Sequence, residues 1–135
     1  MQPRLLALLT AVLLPTFAFA DCSNPIPVSK LLAETQNYDE NPVCATGKIN
    51  IEFEENDLSE GNKSIWLGFF KRGSTKEEIA KDQARMDAWA AEFQGKCVYV
   101  NGHFSTATKG HFGMWPAGIN SISNITAAPK NTCKL

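Results

Sequence analysis

Four cysteines, Cys22, Cys44, Cys97 and Cys133, are the feature that most constrains what this 135-residue chain can fold into. They form no C-x-x-C redox motif and no Cys–His spacing typical of a zinc site. An even number of cysteines in a small exported domain predicts two disulfide bonds, and the residues alone leave three pairings open. Each bond would contribute roughly 2–4 kcal/mol by restricting the unfolded chain.

The first twenty residues predict export. Met1–Arg4 carries one positive charge, the segment up to Phe19 is almost wholly apolar, and Ala18-Phe19-Ala20 has the small residues that signal peptidase accepts. The apolar run is too short to span a hydrocarbon core of ~30 Å comfortably. We therefore expect residues 1–20 to be a signal peptide cleaved before Asp21. Residues 21–135 would then form a single disulfide-stapled domain, secreted or periplasmic, with no integral membrane segment.

The charge balance argues against one class of partner. The chain carries 13 basic and 14 acidic side chains, a net charge of −1, and loss of Arg4 with the leader makes it −2. Nucleic-acid binding depends on clustered Lys and Arg. The nearest approach to a cluster, Lys71-Arg72 with Lys76, is diluted by Glu77-Glu78. We therefore expect no nucleic-acid partner.

Hydrophobic periodicity predicts a mainly β chain. Alternation with a period of two predicts strands over Val43–Phe53, Ser64–Phe70 and Lys96–Phe104. Gly47, in the middle of the first strand, is typical of a point where a sheet bends. The isoleucines at positions 119, 122 and 125 fit neither period, which predicts a short strand over Ala117–Ile125 that changes face at a bulge.

Helical patterns occur in two places. Pro27–Glu34 predicts a short amphipathic helix. Ser74 and Glu77 match a capping box, which predicts a second helix starting there, with Gly95 as the left-handed residue after its end. The expected core stripe of that helix is Ile79, Gln83, Met86, Ala90 and Phe93.

Acidic residues crowd the segment between the first two strands. They are Glu52, Glu54, Glu55, Asp57 and Glu60. Hard cations such as Ca²⁺ take several oxygens from one loop, but the alternating D-x-D/N-x-D/N-G arrangement is missing here. We therefore interpret this segment as a solvated loop.

This order of elements resembles the oligonucleotide/oligosaccharide-binding (OB) fold. The resemblance lies in Val43–Ile49, Cys97–Gly102 and Gly110–Ile119, and it covers Pro42–Ile125. It implies an α+β class: a small curled antiparallel sheet or OB-like barrel, with a helix inserted before the fourth strand. One strand departs from the pattern, since none is evident between the second strand and the helix. Either Ile49–Phe53 forms a separate strand or the sheet is shorter.

The resemblance also implies a cysteine pairing. In such a barrel Cys133, just beyond the fifth strand, approaches Cys97 in the antiparallel fourth strand. Cys22 is then left with Cys44, across the first helix. The implied bonds are Cys22–Cys44 and Cys97–Cys133.

His103 and His111 are the only histidines, and each lies in a Gly-His-Phe tripeptide. Two imidazoles brought together could serve as metal ligands or as an acid/base pair. Alternatively, each hydrogen-bonds to loop backbone, because no third ligand lies nearby in the sequence. The expected protein has no catalytic set, no cofactor and no metal; the alternative is a small metal-binding protein or metal-assisted hydrolase that uses both histidines.

Aromatic side chains suggest a binding groove. Trp66 and Trp89 are expected in the core, whereas Trp115 fits either a groove or a plug at the barrel end. The candidate ligand-binding residues are Tyr99, His103, His111, Phe112, Met114 and Trp115. The predicted function is a non-catalytic binding module for a protein, peptide or glycan, with another envelope or extracellular protein, or a glycan, as its partner.

Overall fold

The structure is a computed structural model that describes residue 11 and residues 21–133. The predicted signal peptide, residues 1–20, therefore lies outside the described residues except for position 11. Within the described part, no helix combines the length and the apolar character needed to cross a bilayer.

Six strands and three α-helices make up the described part of the chain. The strands are β1 (Ile26–Pro27), β2 (Asn41–Glu52), β3 (Glu55–Glu60), β4 (Lys63–Leu67), β5 (Cys97–Ser105) and β6 (Gly118–Ala127). The helices are α1 (Val28–Ala33), α2 (Thr35–Tyr38) and α3 (Lys76–Phe93), and single 3₁₀ turns lie at His111–Gly113 and Lys130–Thr132.

Hydrogen bonding closes five of the strands into a ring. The sheet order is β1-β2-β3-β4-β6-β5, and β5 also pairs with β2. The pairs are antiparallel except β1–β2 and β4–β6, which are parallel. Helix α3 precedes β5, the fourth strand of the ring. The predicted α+β class, a curled sheet with a helix before the fourth strand, is confirmed.

The acidic segment is a strand, so its interpretation as a solvated loop is wrong. Residues Glu55–Glu60 form β3, whose Asn56 and Leu58 are buried while Asp57 points outward. Leu58 is the only large apolar residue among its six, too few to produce a visible alternation. The strand missing from the predicted order is therefore β3, which lies between the first two predicted strands rather than before the helix. The strand predicted over Ser64–Phe70 is the third of the ring and ends at Leu67.

Gly47 allows β2 to bend where it changes partners. The next residue, Lys48, pairs with both Ser59 of β3 and Cys97 of β5. A Cβ at Gly47 would lie 2.8 Å from the Ser59 carbonyl oxygen and 2.9 Å from Leu58 Cγ. Only a residue without a side chain fits at this crossing.

The core lies inside the ring and is closed by helical residues. Val28 and Leu31 of α1 are fully buried. From α3 only Phe93 is buried, and Met86, Trp89 and Ala90 pack partly against the core. The predicted stripe is therefore wrong in the first half of α3, where Ile79 and Gln83 are exposed. The N-terminal turns of α3 do not pack against the core, whereas its C-terminal end does.

Helix α3 begins one residue later than its capping pattern predicts. Thr75, not Ser74, is the N-cap: its hydroxyl accepts from the Glu78 amide at 3.2 Å, and Glu78 accepts from the Thr75 amide at 3.3 Å. The Ser74 hydroxyl donates to the Lys71 carbonyl instead, at 2.8 Å. Two overlapping Ser/Thr-x-x-Glu patterns made both starts compatible with the sequence. Gly95 follows the helix with φ +74°, as predicted.

Strand β6 changes its register at a bulge, as the isoleucine spacing predicts. The register with β5 shifts between the pairs Asn101–Asn124 and His103–Asn120. The intervening Ser121 has φ +48°, a left-handed conformation that costs a non-glycine residue energy. The bulge turns all three isoleucines, at 119, 122 and 125, into the core.

Both disulfides form, between Cys22 and Cys44 and between Cys97 and Cys133. These are the pairs that the OB resemblance implies. The first ties the N-terminal segment to β2, and the second ties the end of the described chain to the start of β5.

Candidate functional site

The β5–β6 connection, residues 106–117, folds back onto the outer surface of β4. Its Trp115 ring packs against Trp66 of β4, with ring centroids 4.7 Å apart and planes inclined by 52°. Gly110 lies against both rings: a Cβ there would come within 2.5 Å of Trp66 and 2.8 Å of Trp115. We call residues 106–117 the tryptophan-anchored loop.

Hydrogen bonds hold the same loop at several further points. The Trp115 amide donates to the Lys109 carbonyl at 3.0 Å, and the Asn120 side chain donates to the Thr108 hydroxyl at 2.9 Å. The Trp66 amide donates to the Ala117 carbonyl at 3.0 Å, which fixes the end of the loop to β4. The tryptophan-anchored loop is thus tied to the barrel along its length.

Asp57 of β3 pairs with Trp66 in the β3–β4 register and lies beside the Trp115 side chain. Burial raises the pKa of the Asp57 carboxyl above its ordinary value, and the neighbouring Glu55 raises it further. The Trp115 side chain acts in the opposite direction, because its indole N–H favours the carboxylate. Asp57 is consequently a half-buried acid whose pKa is raised on balance.

The tip of the loop exposes apolar side chains. Phe112 is 87% exposed and Met114 is 72% exposed. Phe112 also has φ +54°, a backbone conformation that costs a bulky residue energy. The His111 ring contacts the Phe112 ring edge-on at 4.1 Å. A tethered loop therefore presents two large apolar groups to solvent.

A polar cluster secures the base of the loop to the start of β2. The Ser105 hydroxyl donates to one oxygen of Glu40, and the other lies 3.0 Å from His103 Nε2. Asp39 accepts from the amide and the hydroxyl of Thr106, at 2.8 and 3.0 Å. The structure thereby ties residues 39–40 to residues 103–106.

Hydrogen bonds stabilise both carboxylates of this cluster. The pKa of Glu40 lies below its ordinary value because the Ser105 hydroxyl, and then His103, donate to it. The pKa of Asp39 is lowered chiefly by the backbone N–H of Thr106. Glu40 adopts φ +59°, a left-handed backbone conformation that is unfavourable for a residue other than glycine.

A cleft of about 640 Å³ lies on the other side of Trp66, between α3 and β6. Its walls combine cationic, polar and aromatic side chains. They come from the β4–α3 connection, α3, the tryptophan-anchored loop and the β6 bulge: Trp66, Gly68, Phe69, Phe70, Lys71, Arg72, Asp82, Arg85, Thr108, Asn120, Ser121 and Ile122.

The predicted binding residues are divided between different places. His111, Phe112, Met114 and Trp115 share the tryptophan-anchored loop. His103 lies at the loop base, paired with Glu40. Tyr99 lies in the middle of β5, opposite Thr46 and Thr126, four residues along the strand from His103.

The two histidines do not form a recognisable metal centre. Among residues 21–133, no group of three His, Cys, Asp or Glu side chains is placed to hold a metal ion. His103 instead faces Glu40, a residue 63 positions away in sequence. Sequence reasoning considered only carboxylates close to the histidines along the chain and so missed it.

Sequence reasoning also missed Asp57 and the cationic cleft. Asp57 lies in β3, a strand that the hydrophobic pattern does not reveal, and this strand places it opposite Trp66. Along the sequence Lys71 and Arg72 form only a diluted basic run, whereas the fold places Arg85 and Asn120 at the same cleft. Finding both features requires knowing that β3 is a strand, because β3 lies between β2 and β4 in the sheet.

Comparison with protein-family models, curated proteins and solved structures found no match to this chain.

Proposed function

We propose that this protein is an exported, non-catalytic binding module that recognises a protein partner through the tip of the tryptophan-anchored loop. Phe112 and Met114 are the anchors that enter an apolar pocket on the partner. His111 and Trp115 hold these anchors in position from within the loop.

The observation that carries the proposal is the exposure of two large apolar side chains on a loop that is otherwise fixed. Phe112 and Met114 are 87% and 72% exposed, although Trp115 in the same loop packs against Trp66. A presented, ordered anchor loses little conformational freedom on binding, which favours affinity. Aromatic and methionine side chains are enriched at the centres of protein interfaces. Backbone strain at Phe112 is also typical of a functional position.

The strand arrangement also supports the tryptophan-anchored loop as the binding surface. A five-strand ring with a helix before its fourth strand matches what the OB resemblance implies. In OB domains the loops joining strands 1–2 and 4–5 contribute to ligand binding. The tryptophan-anchored loop occupies the 4–5 position of this ring, since it joins β5 to β6.

Export is supported by the two disulfides. Such bonds persist in oxidising compartments such as the periplasm and the extracellular space. The leader-like composition of residues 1–20 points to the same compartments. The partner is accordingly expected to be an envelope or extracellular protein.

The test is a capture experiment with the purified, immobilised protein and the exported fraction of its source cells. We expect one partner to be retained in a defined ratio. Combined replacement of both anchors, Phe112→Asn and Met114→Gln, should weaken binding by at least about tenfold, since anchors at interface centres contribute about 2 kcal/mol or more. Asn tolerates the left-handed backbone of position 112, so the loop should keep its shape.

Ile79→Gln is the matched control. Ile79 is an exposed apolar residue on α3, outside the tryptophan-anchored loop, and Gln suits a helix. This variant should retain the partner as wild type does. Equal retention by the anchor variant, or binding of glycans without any protein partner, would contradict the proposal.

A further inference from the structure

The cleft between α3 and β6 has the volume of a small-molecule site. Its 640 Å³ falls within the range of about 300–1,000 Å³ that is usual for such sites. Its lining residues are distinct from Phe112 and Met114, the two anchors of the proposed protein contact. The cleft is therefore a separate feature whose own chemistry can be examined.

Positive charge dominates this cleft. Lys71, Arg72 and Arg85 line it together with a single acid, Asp82. Among residues 21–133 the side chains at salt-bridge distance are His103 and Glu40, so none of these three cations is paired with a described carboxylate. The opposite side of Trp66 is acidic, with Asp57 and Glu55 in β3. An anion is consequently attracted to the cleft and repelled from the β3 side.

Arg85 is held in place before any ligand arrives. One terminal nitrogen donates to the Ile122 carbonyl at 2.9 Å, and the guanidinium lies 4.9 Å from the centroid of the Trp89 ring. These contacts hold the guanidinium between Ile122 and Trp89 and use one of its N–H groups. A planar, oriented guanidinium matches the two oxygens of a carboxylate or phosphate.

The β6 bulge adds neutral hydrogen-bonding groups to the same wall. Ser121 lines the cleft in its left-handed conformation, φ +48°, beside Asn120. Asn120 donates to Thr108 at 2.9 Å, and Thr108 also lines the cleft. An amide and two hydroxyls therefore stand close to the cations, and they suit a ligand that carries hydroxyl groups.

Aromatic surface completes the cleft. Trp66 and the partly exposed Phe70 belong to its lining. Because position 68 has no side chain, the Nε1 edge of Trp66 is left uncovered there: a Cβ at Gly68 would lie 3.7 Å from Nε1. The indole can thus offer both an apolar surface and an N–H donor.

We infer that this cleft binds an anionic sugar, that is, a sugar carrying a carboxylate or a phosphate group. The charged group pairs with Arg85, Lys71 and Arg72. The sugar hydroxyls bond to Asn120, Ser121 and Thr108, and the apolar face of the ring lies against the aromatic wall. This site is additional to the proposed protein contact and does not depend on it.

Titration of the isotope-labelled protein with glucuronic acid and glucose 6-phosphate tests the inference. The indole N–H resonance of Trp66, identified by its loss in Trp66→Phe, reports occupancy of the cleft. We expect both acids to shift this resonance saturably, while neutral glucose does not. Inorganic phosphate should bind more weakly than the sugar phosphate, because it lacks the ring and its hydroxyls.

Charge variants locate the site. Lys71→Gln/Arg72→Gln should weaken the binding of both acids by at least about tenfold, because two cations that pair with the charged group are lost. Arg85→Lys, which keeps the charge but loses the planar fork, should also weaken it. Lys81→Gln/Lys130→Gln removes the same charge outside the cleft and should bind as wild type does. Circular dichroism of every variant should match that of wild type.

Four results would overturn the inference. They are equal binding of glucose, equal weakening by the two double variants, no shift of the Trp66 resonance with either acid, and equal affinity for inorganic phosphate and the sugar phosphate. None of these results affects partner capture by the Phe112 and Met114 anchors, so the two proposals fail separately.

Discussion

The indole rings of Trp66 and Trp115 pack 4.7 Å apart, and this contact joins the β5–β6 loop to the outer surface of β4. Trp66 has a further role, since it also lines the cleft between α3 and β6. One tryptophan thus connects the presented loop tip with the cationic cleft. A substitution that disturbs the contact between the two rings should therefore alter both the tryptophan-anchored loop and the cleft.

Replacing Gly110 should disrupt this contact more than replacing Gly113 does. Both glycines have positive φ, +69° and +66°, and alanine at a left-handed position costs about 1–2 kcal/mol in backbone energy. Gly110 also has ψ −163°, a conformation open essentially to glycine alone, so its backbone cost is larger. Only at Gly110 would the new Cβ also collide with the Trp66 ring, within 2.5 Å, whereas nothing lies within 4 Å at Gly113. Overpacking adds about 1–3 kcal/mol.

Urea unfolding and near-ultraviolet circular dichroism measure this difference. Gly110→Ala should lose at least about 1 kcal/mol more than Gly113→Ala and should alter the tryptophan signal. Equal losses with an unchanged signal would show that the ring contact does not hold the loop.

Asp57→Asn should increase stability at neutral pH. Burial raises the pKa of Asp57, so its charged form is disfavoured in the folded protein relative to the unfolded chain. This cost is absent at low pH, where the group is protonated in both states, and develops as pH rises from the unfolded pKa through the folded one. Asparagine keeps the size and the polarity of the side chain. The gain should be at most about 1 kcal/mol because the carboxyl remains partly in water.

Chemical denaturation of both proteins across the acidic range checks the pH dependence. The advantage of Asp57→Asn should disappear as pH falls through the Asp57 pKa. An advantage that is constant with pH, or a loss at neutral pH, would mean that the carboxylate is favoured rather than disfavoured at this position.

Much of the fold was predictable because its signals are local. The alternation in β2 and β5, the spacing of the isoleucines in β6 and the glycine after α3 each involve neighbours along the chain. Strand β3 was missed because Leu58 is its only large apolar residue, and its other inward residue, Asn56, is polar. Asn56 is buried because of the strands around it, and a polar residue does not contribute to a hydrophobic pattern in the sequence.

The candidate sites were predictable only in part, because they depend on contacts between distant residues. The aromatic loop was visible as a run of residues from His111 to Trp115. Glu40 and His103 meet across 63 positions, and Arg85 reaches Ile122 across 37. Such pairs follow from the register of strands and from the placement of α3, neither of which a local pattern specifies.

Thr75→Ala should destabilise the protein more than Ser74→Ala, although the sequence allows either residue to cap α3. The Thr75 hydroxyl accepts from the Glu78 amide, and its loss should cost about 1 kcal/mol. Ser74 makes one exposed hydrogen bond, to the Lys71 carbonyl, so its replacement should stay within about 0.5 kcal/mol. Thermal and urea unfolding measure the stability of the two variants. A larger loss of stability for Ser74→Ala would mean that Ser74, rather than Thr75, caps the helix.

The Glu40 cluster should make stability fall in acid. Hydrogen bonds from Ser105 and His103 lower the pKa of Glu40 in the folded state. The resulting stabilisation is present above the pKa of this glutamate in the unfolded chain, and it is lost as pH falls through the lower, folded pKa. Glu40→Gln should therefore be less stable than wild type at neutral pH, and the difference should shrink on acidification. Gln keeps the side-chain length and carries a similar backbone penalty, so it isolates the charge.

The two donors should contribute unequally. Because the Ser105 hydroxyl is the larger cause of the lowered pKa, Ser105→Ala should raise the pKa of Glu40 more than His103→Gln does. Titration of the Glu40 carboxyl carbon by nuclear magnetic resonance measures both shifts directly. A Glu40 that titrates at its ordinary value in the wild-type protein would mean that residues 39–40 are not tied to the loop base by this charge.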